Sequence, residues 1–204
     1  NLSRGFRAPN IAELASNGVH EGTFRYEIGD ENLKSETSHQ IDVAYFLNSD
    51  HITFEFTPFI NFISNYIFTE KLQDANGNDI IIDPSDPVPA FKFTQGNAQL
   101  FGGEVFIDVH PHPLDWLHIE NSFSYVRATQ NNRPENEKFL PFIPAPKYRG
   151  EIKTQFKNVN DTFSEFYAKF AVDHYFKQNN VYSAFDTETT TPSYALLSVG
   201  IGAD

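Results

Sequence analysis

The chain has 204 residues, a formal net charge of −12, 15% aromatic residues and no cysteine. The excess of carboxylates argues against a nucleic-acid-binding protein, which needs a basic surface. The absence of cysteine excludes disulfides, thiol catalysis and cysteine-ligated zinc. No run of about 18 apolar residues occurs, so the sequence contains no transmembrane helix. The abundance of Phe and Tyr favours β-strands.

The beginning of the chain is predicted to be irregular. Residues Gly5 to Glu36 read as one long loop with few alternating apolar positions. Within it, the segment Ala8–Leu14 predicts a single short helical turn that Pro9 or Asn10 opens.

A long hairpin follows this loop. Apolar and polar residues alternate from Gln40 to Asn48 and again from Ile52 to Phe62, with a short turn between them. These arms exceed the five or six residues that are usual in globular strands. They approach the roughly 9–11 residues of a tilted membrane strand. Pro58 lacks the N–H that a ladder needs, and a bulge at Pro58 is the simplest account.

The same alternation recurs in later segments of the chain. Gly102 and Gly103 interrupt one of them and predict either a bulge or a close backbone approach. The other alternating segments are Phe91–Phe93, Val105–Val109, Leu117–Tyr125, Tyr148–Phe156, Phe166–Val172 and Tyr194–Gly202.

The lengths of the connections alternate along the chain. Short turns are predicted at 48–50, 110–115 and 158–161, and long loops at 69–90, 128–146 and 177–192. Outer-membrane barrels have this property because one rim carries short periplasmic turns and the other carries long extracellular loops. A soluble β-sandwich or jelly roll has no reason to follow it. The sequence therefore predicts an all-β fold: an antiparallel up-and-down transmembrane β-barrel, present as a partial barrel of about seven strands.

Several segments resemble a known family. Ser3–Leu14 resembles the "S-x-x-F-R-A-P-x-x-x-E-L" signature of TonB-dependent outer-membrane receptors, and Ile28–Glu36 resembles the "G-N-P-x-L-x-P-E" element that follows it. Gln95–Glu104 and Phe142–Tyr148 are similar to later strand entries of the same family. The resemblance extends over residues 1–204 in the family's order.

The resemblance implies a fold and a function. The family barrel has about 22 strands around a plugged lumen, so residues 1–204 are expected to be a fragment from which the plug domain, the TonB box and the last strands are absent. The implied function is import of a scarce nutrient, by frequency a ferric siderophore, across the outer membrane of a Gram-negative bacterium. Proton-motive force would reach the receptor through the TonB energy-coupling complex, which binds an N-terminal region outside this chain.

Other expectations follow from this resemblance together with the acidic composition and the lack of a nucleophile–base pair in the sequence. The expected partners are a small-molecule ligand such as a metal chelate and outer-membrane lipid, with no nucleic acid. No enzymatic activity, catalytic residue or cofactor is expected. Two alternatives stay open: a passive porin-type barrel and a soluble β-sandwich binding module.

Five residues at the start of the chain and in the first loop are candidates for contact with an anionic ligand. They are Arg4, Arg7, His20, Arg25 and Tyr26. For the two arginines nearest the start, the alternative is ion pairing with lumen carboxylates.

Two patterns resemble metal sites. His110 and His112 are neighbours in a turn, with His118 nearby, but the turn position favours solvent exposure, and the two neighbouring histidines lack the third ligand and the second shell that a site needs. The segment Asp74–Asn78 has the spacing of a calcium loop, but its Gly is misplaced and no Glu closes it. The sequence therefore predicts no metal site.

Aromatic residues concentrate near the predicted strand ends. A girdle at the lipid interface is favoured over a ligand-stacking surface, because barrels carry such girdles at both rims. These residues are Tyr66, Phe68, Phe91, Phe93, Tyr125, Tyr148, Tyr175 and Phe176, with Trp116 at the opposite rim.

Overall fold

The computed structural model describes residues 1–157, 165–186 and 188–203 and shows one sheet of eleven strands. The strands are β1 (Leu2–Arg7), β2 (Asn17–His20), β3 (Arg25–Ile28), β4 (Glu36–Asp42), β5 (Tyr45–Asn48), β6 (Ile52–Lys71), β7 (Ala90–Val109), β8 (Leu117–Gln130), β9 (Lys147–Lys157), β10 (Glu165–Tyr175) and β11 (Tyr194–Ala203). One short helix, α1 (Ile11–Ala15), confirms the predicted helical turn. In these ranges no helix is long and apolar enough to cross a membrane.

The main strands follow one another across the sheet in chain order. The path is β1-β4-β6-β7-β8-β9-β10-β11, and each neighbouring pair is antiparallel. β5 continues β4 along β6 in the same register. The path has eight strands where about seven were predicted, because Leu2–Arg7 forms a strand. Over the described residues the sheet is open, and the predicted up-and-down partial barrel is confirmed.

The two rims of the sheet differ as the sequence predicted. The long-loop rim carries the connections 8–35, 72–89, 131–146 and 176–193, whereas the short-turn rim carries the connections 49–51 and 110–116. The turn predicted at 158–161 lies outside the described residues. The alternation of loop lengths is therefore confirmed for the connections that the structure describes.

The two faces of the sheet differ in polarity. On the apolar face, large side chains remain exposed: Phe62 at 46%, Phe170 at 44% and Ile152 at 50%. Such a continuous apolar surface is unfavourable in water and is suited to the hydrocarbon of a bilayer.

The polar face carries its charges in pairs between β9 and β10. Arg149 lies between two carboxylates, with Nη1 2.7 Å from Asp173 Oδ2 and Nη2 2.5 Å from Glu151 Oε2. Lys147 Nζ is 2.8 Å from the second oxygen of Asp173. Glu151 and Asp173 are both buried. Because each buried carboxylate has a cationic partner, the polar face avoids the large penalty of an unpaired buried charge.

The bulge predicted at Pro58 is wrong. Pairing on both sides of Pro58 continues in one register, and its carbonyl accepts a hydrogen bond from Val43 N at 3.0 Å. On the other side Pro58 faces Gly103, where an added Cβ would lie 2.9 Å from Pro58 Cα. A glycine opposite the proline gives the backbone room, so the strand needs no extra residue.

The register shift of β6 lies further along, between Ile63 and Tyr66. Asn65 within it has a φ of 58°, a left-handed conformation that Asn tolerates better than most residues. Ile63 pairs with Ala98 and Tyr66 pairs with Gly96. Because Gly96 and Ala98 are two apart on β7, Ile63 and Tyr66 point to the same face. The bulge therefore moves the even-numbered residues of β6 from the apolar to the polar face.

We expect substitution Gly102→Ala to destabilise the full-length protein by about 1–3 kcal/mol, the usual cost of overpacking. A Cβ at Gly102 would collide with the carbonyl oxygen of Tyr125 on β8, which confirms the predicted close backbone approach. Urea unfolding in detergent measures the effect. The control is Gly18→Ala in β2, where the added methyl group meets no atom within 4 Å. Equal unfolding midpoints for the two variants would contradict this account of Gly102.

Candidate ligand-binding site at the long-loop rim

Arg7 ties the first long loop to the sheet. Its Nε and Nη2 donate to Glu36 at 2.8 and 2.9 Å in a bidentate arrangement. Its Nη1 donates to both carboxylate oxygens of Glu13 at 2.9 Å. Bidentate arginine–carboxylate pairs combine strength with defined orientation. Arg7 thus forms the ion pairs expected of a structural partner, and a ligand-binding role for it stays a prediction.

Local capping places Glu13 where Arg7 can reach it. Glu13 N donates to Asn10 Oδ1 at 2.9 Å, and Asn10 N donates to Glu13 Oε2 at 2.7 Å, which forms a capping box at the start of α1. Glu36 also accepts a hydrogen bond from Ile67 N at 2.6 Å, just beyond the β6 bulge. The carboxylates of the family signature therefore connect β1, α1, β4 and β6.

Three other candidate residues lie apart from this cluster. Strand alternation places Arg4 on the face of Leu2 and Phe6, opposite to Arg7, and no ion pair of Arg4 occurs in the described ranges. His20 Nδ1 lies 3.2 Å from Thr23 Oγ1 in the exposed β2–β3 hairpin. The hydroxyl of Tyr26 donates a hydrogen bond to an Asn side chain of the same hairpin.

Arg25 is positioned by an unusual strand pairing. β3 runs parallel to the beginning of β7, beyond the point where β8 ends. Arg25 Nη1 donates to Thr69 Oγ1 at 3.3 Å, and its Cζ lies 4.7 Å from the centroid of the Phe91 ring. The contact with the ring face is a cation–π interaction. It fixes the guanidinium beside the Phe91 ring at the long-loop rim.

A small cavity opens beside Arg25, with a volume of about 140 Å³. Three of the four long loops contribute to it, as do the outer ends of β6, β7 and β8. Its walls are formed by Phe68, Phe91, Phe142, Phe185 and Pro141, and its polar groups come from Arg25, Thr69, Gln130 and Tyr182. An apolar cavity with a few convergent polar groups is the usual form of a small-molecule site.

Two of the polar groups are buried without a partner. Gln130 is 5% exposed and Tyr182 is 6% exposed, and neither Gln130 Oε1 nor the Tyr182 hydroxyl has a hydrogen-bond partner among the described residues. Buried polar atoms in native proteins are nearly always satisfied. Burial, together with the charge of Glu137, raises the pKa of Tyr182 to about 12. The phenol thus stays protonated at neutral pH and offers a donor beside the Gln130 acceptor.

The bulge in β6 brings aromatic residues to this site. Tyr66 packs against the buried cluster of Ala98, Ala128 and Leu140, and Phe68 stacks on Tyr66 with 6.2 Å between ring centroids. The prediction that these two aromatics belong to a lipid girdle is therefore wrong, because the register shift turns them to the polar face.

Arg133, in the loop 131–146, packs against the ring of Phe68. Its Nη2 lies 2.6 Å from Glu70 and 2.5 Å from Glu137, and its Cζ lies 5.2 Å from the centroid of the Phe68 ring. No sequence pattern points to Gln130, Tyr182 or Arg133, since they meet only when separate loops fold over the same strand ends.

The loop 72–89 forms its own turns. Asp74 Oδ1 accepts hydrogen bonds from Asn76 N and Asn78 N, both at 2.8 Å, and Gly77 between them has a φ of 84°. This is a side-chain-capped turn that needs glycine at its left-handed position. These hydrogen bonds engage the Asp74 carboxylate within the turn itself, which is typical of a polar surface loop.

The exposed apolar face, the antiparallel path of long strands and the unequal rims define a wall of a transmembrane β-barrel. The family model for the TonB-dependent receptor-like β-barrel matches residues 1–203. The chain belongs to the TonB-dependent receptor β-barrel family, as its resemblance predicted. Proteins of this family are outer-membrane transporters of Gram-negative bacteria and are not enzymes.

Solved structures of this family share the fold. The copper transporter OprC is 15% identical over 97% of this chain and 27% of its own, with a TM-score of 0.70. The ferric enterobactin receptor PfeA from Pseudomonas aeruginosa, in complex with enterobactin, is 19% identical over 98% and 30%, with a TM-score of 0.66. The siderophore receptor PirA from Acinetobacter baumannii is 13% identical over 99% and 32%, with a TM-score of 0.61. The chain thus spans under a third of the length of each.

We expect Arg7→Gln to loosen the first loop. The substitution leaves Glu13 and Glu36 without their cation, which costs about 1.5–3 kcal/mol for a hydrogen-bonded charge. Limited trypsin digestion of the full-length receptor measures the effect as faster cleavage after Arg25 and Lys34. The control is Arg4→Gln, which removes an arginine of the same strand from the opposite face. Equal cleavage rates in both variants would contradict the structural role of Arg7.

Proposed function

We propose that this chain forms part of the wall and the outer loops of a TonB-dependent importer of a small-molecule metal chelate, with a ferric siderophore as the first candidate. In this proposal residues 1–204 belong to a larger barrel in the outer membrane of a Gram-negative bacterium. The plug domain and the TonB-binding segment lie elsewhere in the protein, and the TonB complex supplies the energy. The observation that carries the proposal is the polar and aromatic cavity beside Arg25.

The chemistry of the cavity supports an anionic ligand with a ring. The guanidinium of Arg25 attracts a negative charge, the Phe walls contact a planar ring, and Tyr182 and Gln130 offer one donor and one acceptor. A cavity of about 150 Å³ holds a molecule of the size of benzene. The cavity of about 140 Å³ therefore accepts one aromatic arm of a chelate, with the rest of the ligand outside it.

The fold of the described residues argues against one of the two alternatives left open by the sequence, the soluble β-sandwich, and an experiment can test the other, the passive porin. A soluble β-sandwich needs a second sheet to cover its apolar side, whereas the described residues form one sheet whose apolar face is exposed. A passive porin needs no energy coupling, so dependence on TonB separates it from the proposal.

The test is uptake by cells that carry or lack the full-length gene. We expect deletion to abolish energy-dependent uptake of at least one radiolabelled ferric siderophore from a panel of catecholate, hydroxamate and phenolate types. Removal of TonB from the wild-type strain must abolish the same uptake. Unchanged uptake of every member of the panel after deletion would reject the siderophore assignment, and uptake that persists without TonB would support the porin.

We expect Arg25→Ala to weaken binding of the transported chelate about tenfold, which corresponds to about 1.4 kcal/mol. Tyr182→Phe removes only the hydroxyl and is expected to cost about 1–3 kcal/mol if that hydroxyl donates to the ligand. Fluorescence titration of the full-length receptor measures both. The matched control is His20→Ala in the exposed hairpin of the same loop. Equal affinities for wild type, Arg25→Ala and Tyr182→Phe would exclude the cavity from ligand binding.

A further inference from the structure

Three side chains with metal-binding atoms meet at the short-turn rim. Asp108 and His110 are two residues apart at the end of β7, so they point to the same face of the sheet. The β7–β8 pairing ends at Val109 opposite Ile119, and one further step along the same register places His110 opposite His118. The three side chains therefore lie on the polar face, at the base of one hairpin.

Their donor atoms are close together. Asp108 Oδ2 lies 3.0 Å from His118 Nδ1 and 3.5 Å from His110 Nδ1. The two imidazole rings have centroids 5.7 Å apart, and one donor atom from each of the three side chains lies within 4.8 Å of the other two. A tetrahedral zinc with ligands at about 2.0–2.1 Å separates its donors by about 3.3 Å. The two distances to Asp108 Oδ2, 3.0 and 3.5 Å, are close to this separation.

Two atoms of the cluster are buried without hydrogen-bond partners. They are Asp108 Oδ1 and His110 Nδ1, for which the described part of the chain supplies no hydrogen-bond partner. Unpartnered buried polar atoms are rare and need an explanation such as a bound ion. The sequence favoured His110 and His112 as neighbours in an exposed turn, with His118 nearby. The structure leaves the His112 side chain 68% exposed and supplies Asp108.

We propose that Asp108, His110 and His118 bind a divalent transition-metal ion through one carboxylate oxygen and two imidazole nitrogens. Water would complete the coordination shell. Two imidazoles and one carboxylate suit Zn²⁺, Cu²⁺ or Ni²⁺, whereas Ca²⁺ and Mg²⁺ take oxygen ligands. The ion joins β7 to β8 at the rim opposite the long loops. The proposal is independent of the ligand proposed for the cavity at Arg25.

The neighbouring charges are compatible with a cation. Glu120 pairs with Asp108 across the hairpin and adds a second carboxylate on the same face. Lys153 pairs with His118 from β9, but its Nζ lies 5.6 Å from the centroid of the Tyr167 ring on β10. The lysine charge is thus engaged with an aromatic ring instead of the cluster.

The test is metal binding to the full-length receptor, stripped with chelator and titrated with Zn²⁺ by calorimetry. We expect the double variant His110→Asn/His118→Gln to bind one zinc fewer than wild type, and His118→Gln alone to lose at least about tenfold in affinity. The control is His112→Asn, which removes an exposed histidine of the same turn and must keep the wild-type stoichiometry. Heat-modifiable migration on gels checks that each variant is folded.

A second measurement uses Cu²⁺ and electron paramagnetic resonance. The wild-type spectrum is expected to show coupling to two imidazole nitrogens at this site, and His118→Gln is expected to show coupling to one. Equal zinc stoichiometry in wild type and the double variant would overturn the proposal. Loss of the same zinc in His112→Asn would overturn it as well, because it would assign the ion to the exposed turn.

Discussion

The structure depends on the hydrogen-bonded ladder between neighbouring strands, which is interrupted between β4 and β5 at Val43 and Ala44, opposite Pro58 and Thr57. In hydrocarbon no water satisfies a free backbone N–H or C=O, so each strand of a membrane wall must pair with its neighbours along its whole length. This constraint explains how Pro58 is accommodated. A bulge would leave a further residue unpaired, whereas a glycine opposite the proline keeps the register and costs only side-chain volume. The same constraint explains why the irregular elements lie at the rims.

The one bulge of β6 lies where the strand leaves the regular wall. It turns Tyr66 and Phe68 to the polar face, and just beyond it the backbone N–H of Ile67 donates a hydrogen bond to the Glu36 carboxylate. Glu36 in turn holds Arg7, which also holds Glu13 in the first loop. A single group of charged residues thus connects the bulge, the first loop and the first strand.

The candidate sites at the two rims differ in how far the sequence predicted them. Arg25 was a candidate by its position in the first loop, and the structure places it beside a cavity. Gln130 and Tyr182 could not be predicted, because they are separated by many residues and meet only when loops fold over the strand ends. At the other rim, the sequence shows His110 and His118 near one turn, but Asp108 lies within the alternating segment Val105–Val109, where nothing distinguishes it from other polar strand residues.

The sequence by itself determined the wall. Period-2 alternation, strand length and the rhythm of short and long connections depend on local properties of the chain, and they predicted an antiparallel barrel with unequal rims. Tertiary structure decided which side chains share a face beyond Ile63 and which atoms converge at each rim. The physical reason is that one extra residue in a strand reverses the face of every side chain after it. The position of that residue depends on pairing with β7, which the local pattern does not contain.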